Sequence, residues 1–76
     1  MKLIINAGPV KPAILTVVNG DDVIATTQVY GGSLKSAIDR IFKERYIEAV
    51  EFTEHNDYTD KFKKHIEDNY ELVEVN

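Results

Sequence analysis

The chain of 76 residues is predicted to form a small α/β domain with a mixed (α+β) sheet, in the element order β-β-β-α-β-α-β. Three observations predict it. Two β-branched apolar runs, at 13–18 and 23–30, flank Asn19-Gly20-Asp21-Asp22, the mark of a hairpin. Leu34, Ala37, Ile38, Ile41 and Phe42, with Tyr46 a turn further on, recur at the spacing of one helix face. Beyond Tyr46 the pattern reads strand, helix, strand.

The elements follow in order. Leu3, Ile4 and Ile5 are consecutive in the run 2–6, which predicts a strand buried on both faces. Asn6-Ala7-Gly8-Pro9 predicts a turn. Pro9 and Pro12 lack amide donors and suit a connection or a strand start. In the hairpin, Asn19-Gly20 supplies the positive φ that a tight turn requires. Loops of two and of four residues both fit, so the register stays open. Gly31 and Gly32 permit a sharp turn, and Ser33 is placed to cap a helix running to Tyr46 or Ile47. Its outer face carries Lys35, Asp39, Arg40, Lys43 and Glu44, with Asp39 and Lys43 as an i,i+4 pair worth about 0.3–0.5 kcal/mol.

Residues 48–53 alternate, with Val50 and Phe52 on one side, and predict a strand. A loop, Glu54-His55-Asn56-Asp57, offers Asn56 or Asp57 as the next N-cap. Tyr58, Phe62, Ile66 and Tyr70 form the buried stripe of a second helix, flanked by His65 and Asn69. Leu72, Val73 and Val75 form the last strand. Strands joined through a helix are parallel, with right-handed crossovers. The economical arrangement is an antiparallel meander followed by two right-handed βα crossovers, both helices packed on the sheet. The expected core is Leu3, Ile5, Ile14, Leu15, Val17, Ile24, Val29, Leu34, Ile38, Ile41, Phe42, Val50, Phe52, Phe62, Ile66, Val73 and Val75, with about half of the strand positions turned toward the helices.

This element order is similar to the core topology of ribonuclease-H-like domains. The resemblance implies a fold, and for that family a set of metal-binding carboxylates, one of them on the first strand. Here the run 2–6 has no Asp or Glu, so two-metal nuclease chemistry is not supported.

Composition bounds the rest. The length allows one domain, residues 1–76, and one modest core, so a partner subunit is a reasonable source of stability. Without cysteine there are neither disulfides nor thiolate metal sites. No apolar leader or 18-residue apolar run is present, and the chain reads as cytoplasmic, complete and without membrane attachment. The net charge of −4 is uneven: residues 1–43 carry +2 and residues 44–76 carry −6. This disfavours direct nucleic-acid binding and favours a basic protein partner.

Three candidate sites emerge. The loop Gly31-Gly32-Ser33, with Lys35 and Ser36, combines glycines with a helix start, an arrangement that can hold a phosphate; it lacks the P-loop pattern, and a plain capped helix after a turn is the favoured reading. His55, Asp57 and Asp60 could gather round a divalent metal, or His55 could act as a general base. Their spacing matches no established metal motif, Asp57 and Asp60 already suit capping and dipole roles, and His65 has no evident partner, so no metal or cofactor is expected. The acidic series Glu44, Glu48, Glu51, Glu54, Asp57 and Asp60 recurs every three or four positions. On one face it would imitate a nucleic-acid backbone and occupy a nucleic-acid-binding protein; a solvated rim is the plainer reading. No nucleophile motif is present. The expected function is therefore that of a small acidic, non-catalytic binding or regulatory protein acting through a protein partner, of the kind common among accessory proteins of phages and mobile elements. The alternative is a phosphate- or nucleotide-binding module at Gly31–Ser36. A homodimer is expected from β-branched residues on a sheet face without helices, or from an unpaired edge.

Overall fold

Both hairpins close on two-residue turns, and this fixes the register that the sequence leaves open. The computed structural model describes residues 1–76. Strand β1 (Lys2–Gly8) turns through Pro9-Val10 into β2 (Lys11–Asn19), with Gly8 opposite Lys11. β2 turns through Gly20-Asp21 into β3 (Asp22–Val29), with Asn19 opposite Asp22. Gly20 takes φ 63°, a conformation that costs glycine nothing. A 3-10 turn, Gly31–Ser33, leads into α1 (Leu34–Glu44). Then come β4 (Ala49–Phe52), α2 (Asp57–Asn69) and β5 (Glu74–Val75). No helix is long and apolar enough to cross a membrane.

The five strands form one mixed sheet in the order β3-β2-β1-β4-β5. β1 lies at the centre, antiparallel to β2 and parallel to β4, and β5 is parallel to β4. The predicted meander with two βα units is what forms. Both helices lie on one side. Leu3, Ile5, Ala7, Ala13, Leu15, Val17, Val50 and Phe52 face them and are buried with Leu34, Ile38 and Ile66.

Several expectations are corrected, and the one-sided helix layer explains most of them. β1 is not buried on both faces: Ile4 points to the bare face and is half-buried. Ile14 alternates with Ala13 and Leu15, so it lies on the bare face, 39% exposed. Ile24 is also exposed, because a register shift opposite Val17 and Val18 leaves it out of the pairing. Val73 is 85% exposed because β5 begins after it and spans only two residues. The predicted turn at residues 6–9 starts late, as pairing continues to Gly8. Helix α1 stops at Glu44, since Arg45 is extended at φ −137° and ψ 149°. Tyr46 is therefore outside the helix and exposed, while Ile47 tucks into the core. Ser33 holds the N-cap position but makes no capping hydrogen bond: the 3-10 turn before it leaves Ser33 already helical, at φ −85° and ψ −4°. At α2, Asn56 is the cap. Its Oδ1 accepts from the Thr59 amide at 3.0 Å, and the Asn56 amide donates to Thr59 Oγ1 at 2.9 Å.

The predicted Asp39–Lys43 pair does not form; Arg40 pairs with Glu44 instead, at 2.9 Å. Asp39 turns to α2. Its Oδ1 accepts from the Tyr70 hydroxyl at 2.6 Å and lies 2.8 Å from His65 Nε2. Phe42 stacks on Tyr70 with ring centroids 4.0 Å apart. Burial pushes the Asp39 carboxyl up, but the bonds from Tyr70 and His65, with the charges of His65 and Lys35, outweigh it and hold the carboxyl below its ordinary value. Burial first, then the bond to Asp39 and its charge, push the Tyr70 phenol up to about 12.

Asp39→Ala should cost about 1–2 kcal/mol at neutral pH in urea denaturation, given a carboxylate that is partly exposed. A carboxylate with a lowered folded value stabilises fully above the ordinary 3.8, and that contribution fades as pH falls through the folded value. The gap between parent and Asp39→Ala should therefore narrow below about pH 4. Tyr70 has the opposite sign: its contribution is complete below 10 and is lost as pH rises through about 12. Ultraviolet titration should show one phenolate step near 12 that Tyr70→Phe removes. At the other cap, Asn56→Ala should lower stability by about 1 kcal/mol, read as a lower urea midpoint.

Candidate functional site

Helix α1 has two flanks. Asp39 and Phe42 face α2. Ser33, Ser36, Ala37, Arg40, Ile41 and Glu44 recur at i+3 and i+4 along the other flank, toward β3. Because α1 packs toward α2, a groove of about 390 Å³ opens between this second flank and the end of the sheet. Leu15 and Val17 of β2 and Ala25 and Thr27 of β3 form its floor. Ala37 and Ile41 form the apolar wall. Ser33 and Ser36 stand at one end, and Arg40, Glu44 and Arg45 at the other.

The groove runs beside an open strand edge. β3 is the outermost strand and pairs only with β2. An edge strand presents backbone donors and acceptors without partners, and charges or prolines usually guard it. From Val23 to Val29 β3 has neither. Edge and groove together can take an extended segment, main chain on β3 and alternate side chains in the groove.

The residues singled out in the sequence are placed as follows. In the Gly31–Ser36 loop, Gly31 takes φ 54°, and Gly32 and Ser33 complete the 3-10 turn. Ser33 and Ser36 line the end of the groove, whereas Lys35 is turned to the other flank, where its charge acts on Asp39. The loop residues are thus split between two sides of α1. The acidic series is distributed too. Glu44 stands at the groove, on the helix side of the sheet, while Glu51 alternates with Val50 and Phe52 and so faces the bare side. Four of the six have cationic partners: Glu44 with Arg40, Glu48 with the Met1 amino group at 3.4 Å, Glu51 with Lys2 at 2.5 Å, and Glu54 with Lys11 at 2.7 Å. Asp57 and Asp60 lie in the first turn of α2, where the helix dipole favours them.

His55, Asp57 and Asp60 do not gather into a set that could hold a metal ion, nor do any other three His, Asp or Glu side chains. His65, which has no evident partner in the sequence, is bonded to Asp39, 26 residues away. The groove itself is missed by sequence reasoning. The uncharged run Val23–Val29 is the signal that points to it, once β3 is known to be an edge. Comparison with protein-family models, with curated proteins and with solved structures finds no match to this chain.

Proposed function

We propose that this is a non-catalytic binding protein that acts through a protein partner, which adds an extended segment along the edge of β3. The observation that carries this reading is the juxtaposition of an uncharged, unpaired strand edge with an apolar groove on the same strand. Backbone pairing supplies affinity and the groove supplies selection. The acidic series favours this surface less, since most of its members are neutralised within the chain and at least two lie on opposite sides of the sheet. A second copy of the chain offers the same edge, so homodimerisation through β3 competes with partner binding at high concentration.

The test compares two variants as bait in a lysate of the source cell, with folding checked by circular dichroism. Thr27→Lys puts a charge on the exposed edge and into the groove, while Glu48→Gln/Glu51→Gln/Glu54→Gln removes the acidic surface. One protein retained by the parent and the triple variant but lost with Thr27→Lys supports the edge. The reverse pattern returns the interface to the acidic residues. No specific retention by any bait removes the protein-partner reading.

A further inference from the structure

We infer that the segment received by β3 carries a carboxylate, seated by Arg45 at one end of the groove. The inference rests on the edge-binding reading above and adds the chemistry of the partner. Helix α1 starts soon after β3 ends, so Ser33 and Ser36 mark the end of the groove near Val29. Arg45, past the last turn of α1, marks the opposite end, toward the β2–β3 turn. Of the two guanidinium groups at that end, that of Arg40 is engaged by Glu44 at 2.9 Å. Arg45 makes no ion pair within the chain, and it is only half-exposed. Among the lining residues this end carries one cation in excess, that of Arg45, while Asp21 and Asp22 of the β2–β3 turn lie outside the lining and pair with neither arginine.

The groove also has an apolar floor and a wall formed by Ile41 and Ala37. A partner side chain entering there loses water, and a carboxylate tolerates that loss only when a fixed cation meets it. Guanidinium meets a carboxylate through two parallel hydrogen bonds, which fixes direction as well as adding affinity. A neutral segment gains nothing from Arg45, and a basic one is repelled. The acidic group is either an Asp or Glu side chain or a terminal carboxylate of the segment, and both present the same oxygens.

The experiment uses a displayed library of random heptapeptides, with the whole chain as target. Selected peptides are synthesised, and binding is measured by calorimetry and by amide shifts of residues 23–29. The expected result is enrichment of apolar residues at alternate positions, with an acidic residue or the free C-terminus at a fixed distance from them. Replacing that carboxylate by its amide should weaken binding to the parent about tenfold or more, the loss of one charge-assisted pair. Against Arg45→Gln, acid and amide should bind alike, and Arg45→Glu should select a basic residue at the same position. Peptides that shift the β3 amides with no acidic position, or an equal response of acid and amide on the parent, overturn the carboxylate and leave the edge reading standing. Peptides that leave the β3 amides unmoved, or no peptide at all, overturn both. Sedimentation showing a dimer whose β3 amides are protected without peptide also overturns the proposal, by giving the edge to a second copy.

Discussion

Asp39 is where the two helices meet. One carboxylate accepts from the Tyr70 hydroxyl and bonds His65, and the Phe42–Tyr70 stack lies one turn along the same seam. The network joins residues far apart in sequence, so it forms only when α1 and α2 sit side by side on the same face of the sheet. Two consequences follow. The sheet keeps one bare face, because both helices are used on the other. The helix layer is also fixed toward α2, so β3, at the far end of the sheet, keeps an open edge and a groove beside it. A helix held less firmly could slide over Ala25 and Thr27 and close that space. A hydrogen-bonded seam prevents this in a way that apolar contact alone, which has no direction, does not.

The charge asymmetry of the chain becomes intelligible in the same frame. The cationic first half and the acidic second half meet where β1 pairs with β4. Lys2 lies opposite Ala49 and Ile4 opposite Glu51 in that parallel pair. The ion pairs Met1–Glu48 and Lys2–Glu51 lie at this pairing and Lys11–Glu54 ties the start of β2 to the loop after β4, each joining one half of the chain to the other. Single surface pairs contribute little, roughly 0–1 kcal/mol. The acidic excess that remains is split between Asp21 and Asp22 at the β2–β3 turn and the stretch from α2 to the C-terminus.

Periodicity made the elements and their order legible, because the spacing of Leu34, Ile38 and Ile41, or of Val50 and Phe52, depends only on local geometry. It says which residues share a face, but not which face will be covered. Ile14 and Leu15 are equally apolar in sequence, and only the helix layer makes Leu15 core and Ile14 surface. Element ends were less legible. Nothing in Arg45-Tyr46-Ile47 breaks helical propensity outright, yet the chain turns there because Ile47 is drawn into the core ahead of β4. The Asp39–His65 contact and the groove were invisible for a related reason. Both lie between elements, on helix flanks that a hydrophobic pattern leaves undefined.

The open edge of β3 is shorter than the strand. Val18 pairs with Val23 and Val17 with Ala25, so Ile24 is an extra residue, and a bulge of this kind bends and twists the strand. Regular pairing resumes from Ala25 and continues to Val29 opposite Ala13. This stretch presents a regularly paired ladder, and its Ala25 and Thr27 line the groove. Five residues span roughly 17 Å of strand, which is little for backbone pairing alone to hold a partner. The same shortness restrains two copies from joining edge to edge, because a β3–β3 pair would rest on that ladder with no side chain filling either groove. An incoming segment that filled the groove would gain both sets of contacts, which is the physical basis of the proposed edge binding.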